Sequence, residues 1–264
     1  MRAAVVLSLR VALLGLLLSP ALTHARGVPA SASAGPTARR RPDRAQQAYQ
    51  IARSADYIPW RFPDWCESRA MALSAELATA NIPSNVVFLQ KPSPERPLTP
   101  PGLGNVVWKN HVAVLVDGKM IDPALCSGPT TLKAWTRLAG QPEDTKPRMR
   151  IMPGSHAFGR DCVDYGGKRI TCCATKTMAG LPRFDGEQMI DAYDNLVWSW
   201  AMSGGGHAPK IRQACDRMSQ VMNQLLDQGR LSPTAFSGVI GYPPWWPSRL
   251  ELDRAANRYV SVPR

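Results

Sequence analysis

Apolar residues recur along this chain at two spacings, and the alternation between them marks out its elements. Cys66, Ala70, Leu73 and Leu77 stand at i, i+4, i+7 and i+11, which is one face of an α-helix. Asp64 suits the N-cap of that helix, Glu67 three residues later completes a capping-box-like pair, and Asn81-Ile82-Pro83 stops it. Upstream, Arg44–Ser54 reads as a short helix. Ile58-Pro59-Trp60-Arg61-Phe62-Pro63 reads as an extended approach whose prolines exclude helix. Val86-Val87-Phe88-Leu89 is a short apolar strand, and the proline-rich stretch Lys91–Gly104 is a surface loop long enough to be a cleft wall or lid. Val106–Trp108 and His111–Val116 are strand-like. Asp117-Gly118 is a strong two-residue hairpin signal, and Lys119–Asp122 is the return strand, ended by Pro123.

Thr130–Leu138 predicts a short helix and Arg148–Met152 a further strand, followed by glycine-rich turns and a cluster of cysteines. Beyond residue 183 the pattern turns helical. Glu187–Met202 and Pro209–Gln228 carry helical periodicity across a Ser203-Gly204-Gly205-Gly206 break, and after the aromatic Pro243–Pro247 stretch Ser248–Arg258 reads as a last helix. These elements predict an α+β core over residues 46–180 with a helical portion, 181–264, packed on it. The chain has no internal repeat.

Residues 1–25 stand outside that globule. Arg2 and Arg10 flank and punctuate an Ala/Val/Leu-rich run that ends in Ala21-Leu22-Thr23-His24-Ala25, with small residues at −3 and −1, which is the form of a secretory signal peptide. The unbroken apolar run Val11–Ser19 is too short to span about 30 Å of hydrocarbon. Secretion or periplasmic export is therefore expected, without stable membrane insertion. Removing the signal lowers the formal charge from +12 to +10. Much of the excess sits in Arg39-Arg40-Arg41 and Arg44, within a stretch (26–45) too poor in apolar residues to order itself and read as a linker or short pro-segment. No nucleic-acid-binding motif accompanies the charge, so no nucleic-acid partner is predicted.

The six cysteines are Cys66, Cys126, Cys162, Cys172, Cys173 and Cys215. An exported chain meets an oxidising compartment, which makes disulfides the default, with Cys162 to Cys172 or Cys173 as the expected bridge across Asp164–Gly167. A zinc site from this cluster with His156 and Cys215 is the rival reading, weakened by the lack of any Cys-x-x-Cys pair.

Three of the predicted elements bring candidate chemistry together. Cys66 falls in the first turn of its helix, where unsatisfied N–H groups and the helix dipole favour thiolate. The plain alternative is a disulfide cysteine or a small buried hydrophobe. With Asp117-Gly118 as the loop, Val116 faces Lys119, Val114 faces Ile121 and Ala113 faces Asp122, so His111 shares a face with Asp122 one diagonal step away. Val112, Val114 and Val116 then point to the opposite, buried face. A carboxylate beside the imidazole would fix its tautomer; the alternative is a strand-end histidine and a turn-capping aspartate. His156 and His207 lie in glycine-rich loops with no partner at a defined register.

Trp65-Cys66-Glu67-Ser68-Arg69-Ala70, Trp108-Lys109-Asn110-His111-Val112-Ala113-Val114-Leu115, Ile121-Asp122-Pro123-Ala124-Leu125, and Ser127-Gly128-Pro129 with Ala134-Trp135 resemble the bacterial protein-glutaminase (protein-glutamine deamidase) family. The resemblance covers about residues 60–140. It implies a papain- or transglutaminase-like core, in which a helix bearing Cys packs on an antiparallel sheet bearing His and Asp. It implies Cys66, His111 and Asp122 as a catalytic triad that hydrolyses glutamine side-chain amides of proteins or peptides, through a thioester and without metal or organic cofactor. The helical C-terminal portion has no match in that family. A cysteine peptidase or transglutaminase of the same fold is one rival function, and a non-catalytic secreted interaction protein is another. The loop Lys91–Gly104 is where specificity is expected to be set.

Overall fold

In the computed structural model, which describes residues 43–156, 183–203, 207–232 and 248–263, one helix is surrounded on nearly every side. This is α2 (Cys66–Thr79), where Cys66, Ala70, Leu73 and Leu77 are all buried, as the spacing predicts, and so are Ser68, Arg69, Ser74 and Glu76. The helix is deeper than its one-sided pattern suggests because α1 (Arg44–Ser54) and two later helices, α4 (Gly186–Met202) and α5 (Ala208–Asp227), close over its polar side. The Asp43 carboxylate caps α1 by accepting from the Ala45 and Gln46 N–H groups.

Against α2 lies an antiparallel sheet in the order β4-β3-β2-β1-β5. Its strands are β1 (Asn85–Gln90), β2 (Asn110–Val116), β3 (Lys119–Ile121), β4 (Thr130–Thr131) and β5 (Arg148–Pro153). The hairpin has the predicted register, Val116 opposite Lys119 and Val114 opposite Ile121. Asp117 and Gly118 both take positive φ, 47° and 76°, as a type I′ turn requires. After β4 the chain enters α3 (Leu132–Leu138), capped by the Thr131 hydroxyl.

The sheet separates two hydrophobic cores. Val112, Val114, Val116, Ile121 and Val86 pack into the larger core with α1, α2, α4 and α5. The other face, which carries His111, was not expected to be buried, yet Val87, Leu89, Leu98, Trp108, Ala113, Met120, Cys126, Trp135 and Ala139 cover it. That second core exists because part of the Lys91–Gly104 loop folds back. The backbones of Leu98 and Trp108 exchange hydrogen bonds of 3.0 and 2.9 Å, and the Leu98 side chain is wholly buried.

The helices predicted at 187–202 and 209–228 are α4 and α5. They share the larger core with α2 and are tied to it by polar bonds. Trp200 Nε1–H donates to the Tyr57 carbonyl at 2.7 Å, and Arg217 bonds Glu76 through two nitrogens at 2.8 and 2.6 Å. A short parallel pair, β6 (Phe184–Asp185) with β7 (Leu231–Ser232), precedes α4 and follows α5.

The predicted last helix is instead a hairpin of β8 (Ser248–Asp253) and β9 (Arg258–Pro263). Leu250 and Leu252 are two residues apart, a strand spacing, and Asp253 Oδ1 accepts from the Ala255 and Ala256 N–H groups to turn the chain. The Asn223 side chain of α5 then bonds both the N–H and the carbonyl of Tyr259, each at 2.8 Å. The signal peptide, the linker up to residue 42, Cys162, Cys172 and Cys173 with their expected bridge, and Pro243–Pro247 lie outside the described residues.

Candidate active site

Cys66 begins α2 by a route the sequence does not show. The N-cap is Trp65 and not Asp64, and Trp65 sits in the left-handed region (φ 60°, ψ 35°) without a side-chain cap bond. Asp64 Oδ1 accepts from the Trp65 N–H, while Glu67 turns to Cys66 and Asn110 instead of forming a capping box. Cys66 is thus the first helical residue, one position earlier than expected, and its own N–H is among those without an intrahelical acceptor. The guanidinium of Arg69 braces the approach by donating to the Phe62 carbonyl at 2.8 Å and to the Asp64 carbonyl.

At the start of β2, the imidazole of His111 is almost wholly enclosed, and Nε2 lies 2.8 Å from Asp122 Oδ2. Trp108 stacks on the ring at 4.2 Å between centroids and 5° between planes, and Trp135 flanks it at 5.6 Å. Trp135 Nε1–H donates 2.8 Å to the same Asp122 oxygen, and the Ala124 N–H donates to the other. Burial by itself would raise the Asp122 pKa. The facing His111 ring, its hydrogen bond, the Trp135 N–H and the Arg69 charge together hold the carboxyl below its usual range. Because an ionised carboxylate only accepts, Nε2–H is the donor to Asp122. Nδ1 is buried with no hydrogen-bond partner among the described residues.

The two halves meet through the residue after His111. The backbone N–H of Val112 interacts with the Cys66 sulfur, and Trp108 Nε1–H donates to the Pro63 carbonyl at 2.7 Å, so both lead-in segments are pinned together. The thiol itself bonds Glu67 Oε2 at 3.4 Å. Burial first, then the Glu67 charge, pushes the Cys66 pKa well above the ordinary thiol value, with the Arg69 charge and the Val112 N–H only partly opposing. Position at a helix start predicts a thiolate; enclosure and an adjacent carboxylate make it a thiol.

The other candidates fall elsewhere. His207 is the N-cap of α5 beside Trp200, and His156 ends a short turn, Gly154–His156, after β5. Cys126 and Cys215 are free and buried, as is Cys66. Burial, then the Asp122 charge, pushes the Cys126 thiol to about 12. Among the described residues no group of three or more His, Cys, Asp or Glu side chains could hold a metal ion. The sequence pattern missed Arg69, Glu67 and Asn110 as members of the site, and it missed the two tryptophans as the walls of the imidazole. Spacing points to Arg69, three residues from Cys66 on one helix face, but nothing local marks the tryptophan clamp.

This arrangement defines a class: an α+β protein with a thiol at a helix start and a buried imidazole–carboxylate pair at the start of a strand of the sheet packed on that helix. Residues 44–139, the span that holds Cys66, His111 and Asp122, match the glutamine-deamidase family model described as Glutaminase. The family resemblance seen in the sequence therefore extends from α1 through α3. The chain is also similar to a crystal structure of protein-glutaminase, with 19% identity, TM-score 0.42, and 61% of this chain and 87% of that one covered. An NMR structure of protein-glutaminase from Chryseobacterium proteolyticum gives 18%, 0.40, 62% and 88%. A crystal structure of pro-protein-glutaminase gives 18%, 0.40, 59% and 56%. No curated protein sequence matches the chain.

Proposed function

We propose that this protein is an exported cysteine amidohydrolase, with a papain- or transglutaminase-like core, that converts glutamine side chains of proteins or peptides to glutamate. The observation that carries the reading is the buried His111–Asp122 pair at 2.8 Å, with its second nitrogen unpartnered and Cys66 against the adjoining Val112 N–H. The match of residues 44–139 to the Glutaminase family supports the choice of amide. Export rests on the form of residues 1–25, and no helix among the described residues is long and apolar enough to cross a membrane.

In the proposed reaction His111 Nδ1 takes the Cys66 proton as the sulfur attacks the glutamine Cδ. Proton transfer accompanies attack, since the resting cysteine is held as a thiol. The oxyanion draws on backbone N–H groups at the start of α2, that of Cys66 included. Asp122 steadies the imidazolium through Nε2–H while the Trp108 and Trp135 rings keep its plane fixed. Collapse breaks the C–N bond, and the proton on Nδ1 leaves with ammonia. Water, deprotonated by the same nitrogen, then cleaves the thioester to glutamate and returns the thiol.

The test is ammonia release from a glutamine-rich protein, followed with peptide mapping. One mass unit gained at glutamine, without chain cleavage or cross-links, is expected, and Cys66→Ser should lower the rate by at least about a thousandfold. Release at the wild-type rate from Cys66→Ser would overturn the nucleophile. Cleaved peptide bonds would favour a peptidase, and glutamine–lysine cross-links a transglutaminase.

A further inference from the structure

A carboxylate that the reaction above does not use stands beside the nucleophile. Glu67 Oε2 accepts from the Cys66 thiol at 3.4 Å, and Oε1 accepts from Asn110 Nδ2. Glu67 adjoins Cys66 in α2 and Asn110 adjoins His111 in β2, so one carboxylate spans the seam between the two halves. It is only half-buried, unlike His111 and Asp122.

The chemistry of that position is selective. A glutamine side chain seated with its carbonyl carbon on the sulfur presents –NH2, with two N–H donors, to a neighbouring acceptor. A peptide-bond amide has one N–H and a chain continuing beyond the nitrogen, into space that Glu67 and Asn110 fill. The product of deamidation presents a second carboxylate, which Glu67 repels at close range in a partly dry setting. We propose that Glu67, held in place by Asn110, is the specificity-determining residue that favours a neutral primary amide at Cys66 over a carboxylate or a substituted amide. This rests on the reading of Cys66 as the nucleophile. Burial is the main reason that the Cys66 pKa is raised, and the Glu67 charge adds to it.

Two alkylating agents of nearly equal size separate this inference from the function itself. Iodoacetamide and iodoacetate differ in –CONH2 against –COO−. With either, the sulfur displaces iodide, a C–S bond replaces the C–I bond, and the thiol proton passes to solvent. Rates at Cys66 are followed on the full-length native chain by peptide mass spectrometry, with glutathione as the reference thiol. The net positive charge of the chain works in favour of the anionic reagent, so an excess for the neutral one reports the local carboxylate.

The expected iodoacetamide-to-iodoacetate ratio is at least about tenfold above that of glutathione, and Glu67→Gln should bring it to within about twofold of it. A wild-type ratio at the glutathione value overturns the proposal, as does an unchanged ratio in a folded Glu67→Gln protein. Should that variant not fold, the wild-type ratio decides alone. In turnover, Glu67→Gln should strengthen inhibition by a glutamate-containing product peptide about tenfold. Absent ammonia release with a raised alkylation ratio would remove the deamidase reading and leave the electrostatic one. Normal ammonia release with a flat ratio would do the reverse.

Discussion

The imidazole and thiol halves of the site are built on opposite plans. His111 and Asp122 are sealed among Trp108, Trp135, Leu89 and Ala113, and the Asp122 oxygen facing His111 also takes the Trp135 N–H. Cys66 follows a left-handed tryptophan that is more than a third exposed, and its thiol is shared with a half-buried glutamate. The first half is fixed by packing on every side, which suits the proton-transfer role proposed for His111. The second is a helix end with a strained junction and a few polar bonds, beside the partly exposed Trp65 and Glu67. Enclosure thus serves orientation in one half and restrains the proposed nucleophile in the other, because burial and the Glu67 charge outweigh Arg69 and oppose the thiolate.

The largest effect should come from breaking the enclosed half. Asp122→Asn keeps the shape but removes the charge that fixes the tautomer, and the rate of ammonia release should fall on the order of a thousandfold with the fold intact. The same change should alter acid stability. With the folded Asp122 pKa below its usual value, the unfolded chain binds the proton more readily in the window between the two. Stability from this group is full above the ordinary aspartate pKa and is lost as pH falls through the lower folded value. Urea midpoints between pH 5 and 3 should therefore drop more steeply for wild type than for Asp122→Asn. Equal slopes would mean that His111 and Trp135 do not favour the ionised form.

A smaller break removes one wall bond. Trp135→Phe keeps an aromatic ring beside His111 but deletes the N–H donated to Asp122. Stability should fall by about 1.5–3 kcal/mol, as for a buried hydrogen bond to a charged acceptor. The turnover rate should fall roughly tenfold with KM little changed, because on the proposed mechanism the ring orients the base His111 from within the buried core. A change confined to KM would place Trp135 on the substrate side and collapse the contrast between the halves.

What the chain discloses of this contrast follows its range in sequence. The buried face of α2 and the register of the Asp117-Gly118 hairpin are local periodicities, so Cys66 and the His111–Asp122 relation were both readable. The tryptophan walls were not. Trp108 reaches His111 only because the loop before it pairs back through Leu98, and Trp135 arrives from a helix beyond the return strand. Asp64 and Glu67 fit a capping box by spacing, and Arg69 and Asn110 draw the surrounding polar groups elsewhere. The terminal hairpin was misread for a related reason. Its charged residues mimic a helix surface, whereas the Asn223 clamp that holds β9 comes from α5, more than thirty residues earlier.

The smallest effect should come from relieving the strained junction. Trp65 carries a β-carbon in a conformation that costs an L-residue about 1–2 kcal/mol, while glycine adopts it freely. Trp65→Gly exchanges that strain for a more flexible unfolded chain, and its ring, being partly exposed, contributes limited burial. The net expectation is a gain of at most about 1 kcal/mol in chemical denaturation, against several kcal/mol lost when a fully buried tryptophan is truncated. Activity should move the other way. If Cys66 is the nucleophile as proposed, the partly exposed ring before it meets substrate, so kcat/KM should fall severalfold, mostly through KM. A protein both less stable and equally active would show that Trp65 is packed structure and not the strained edge of an open half.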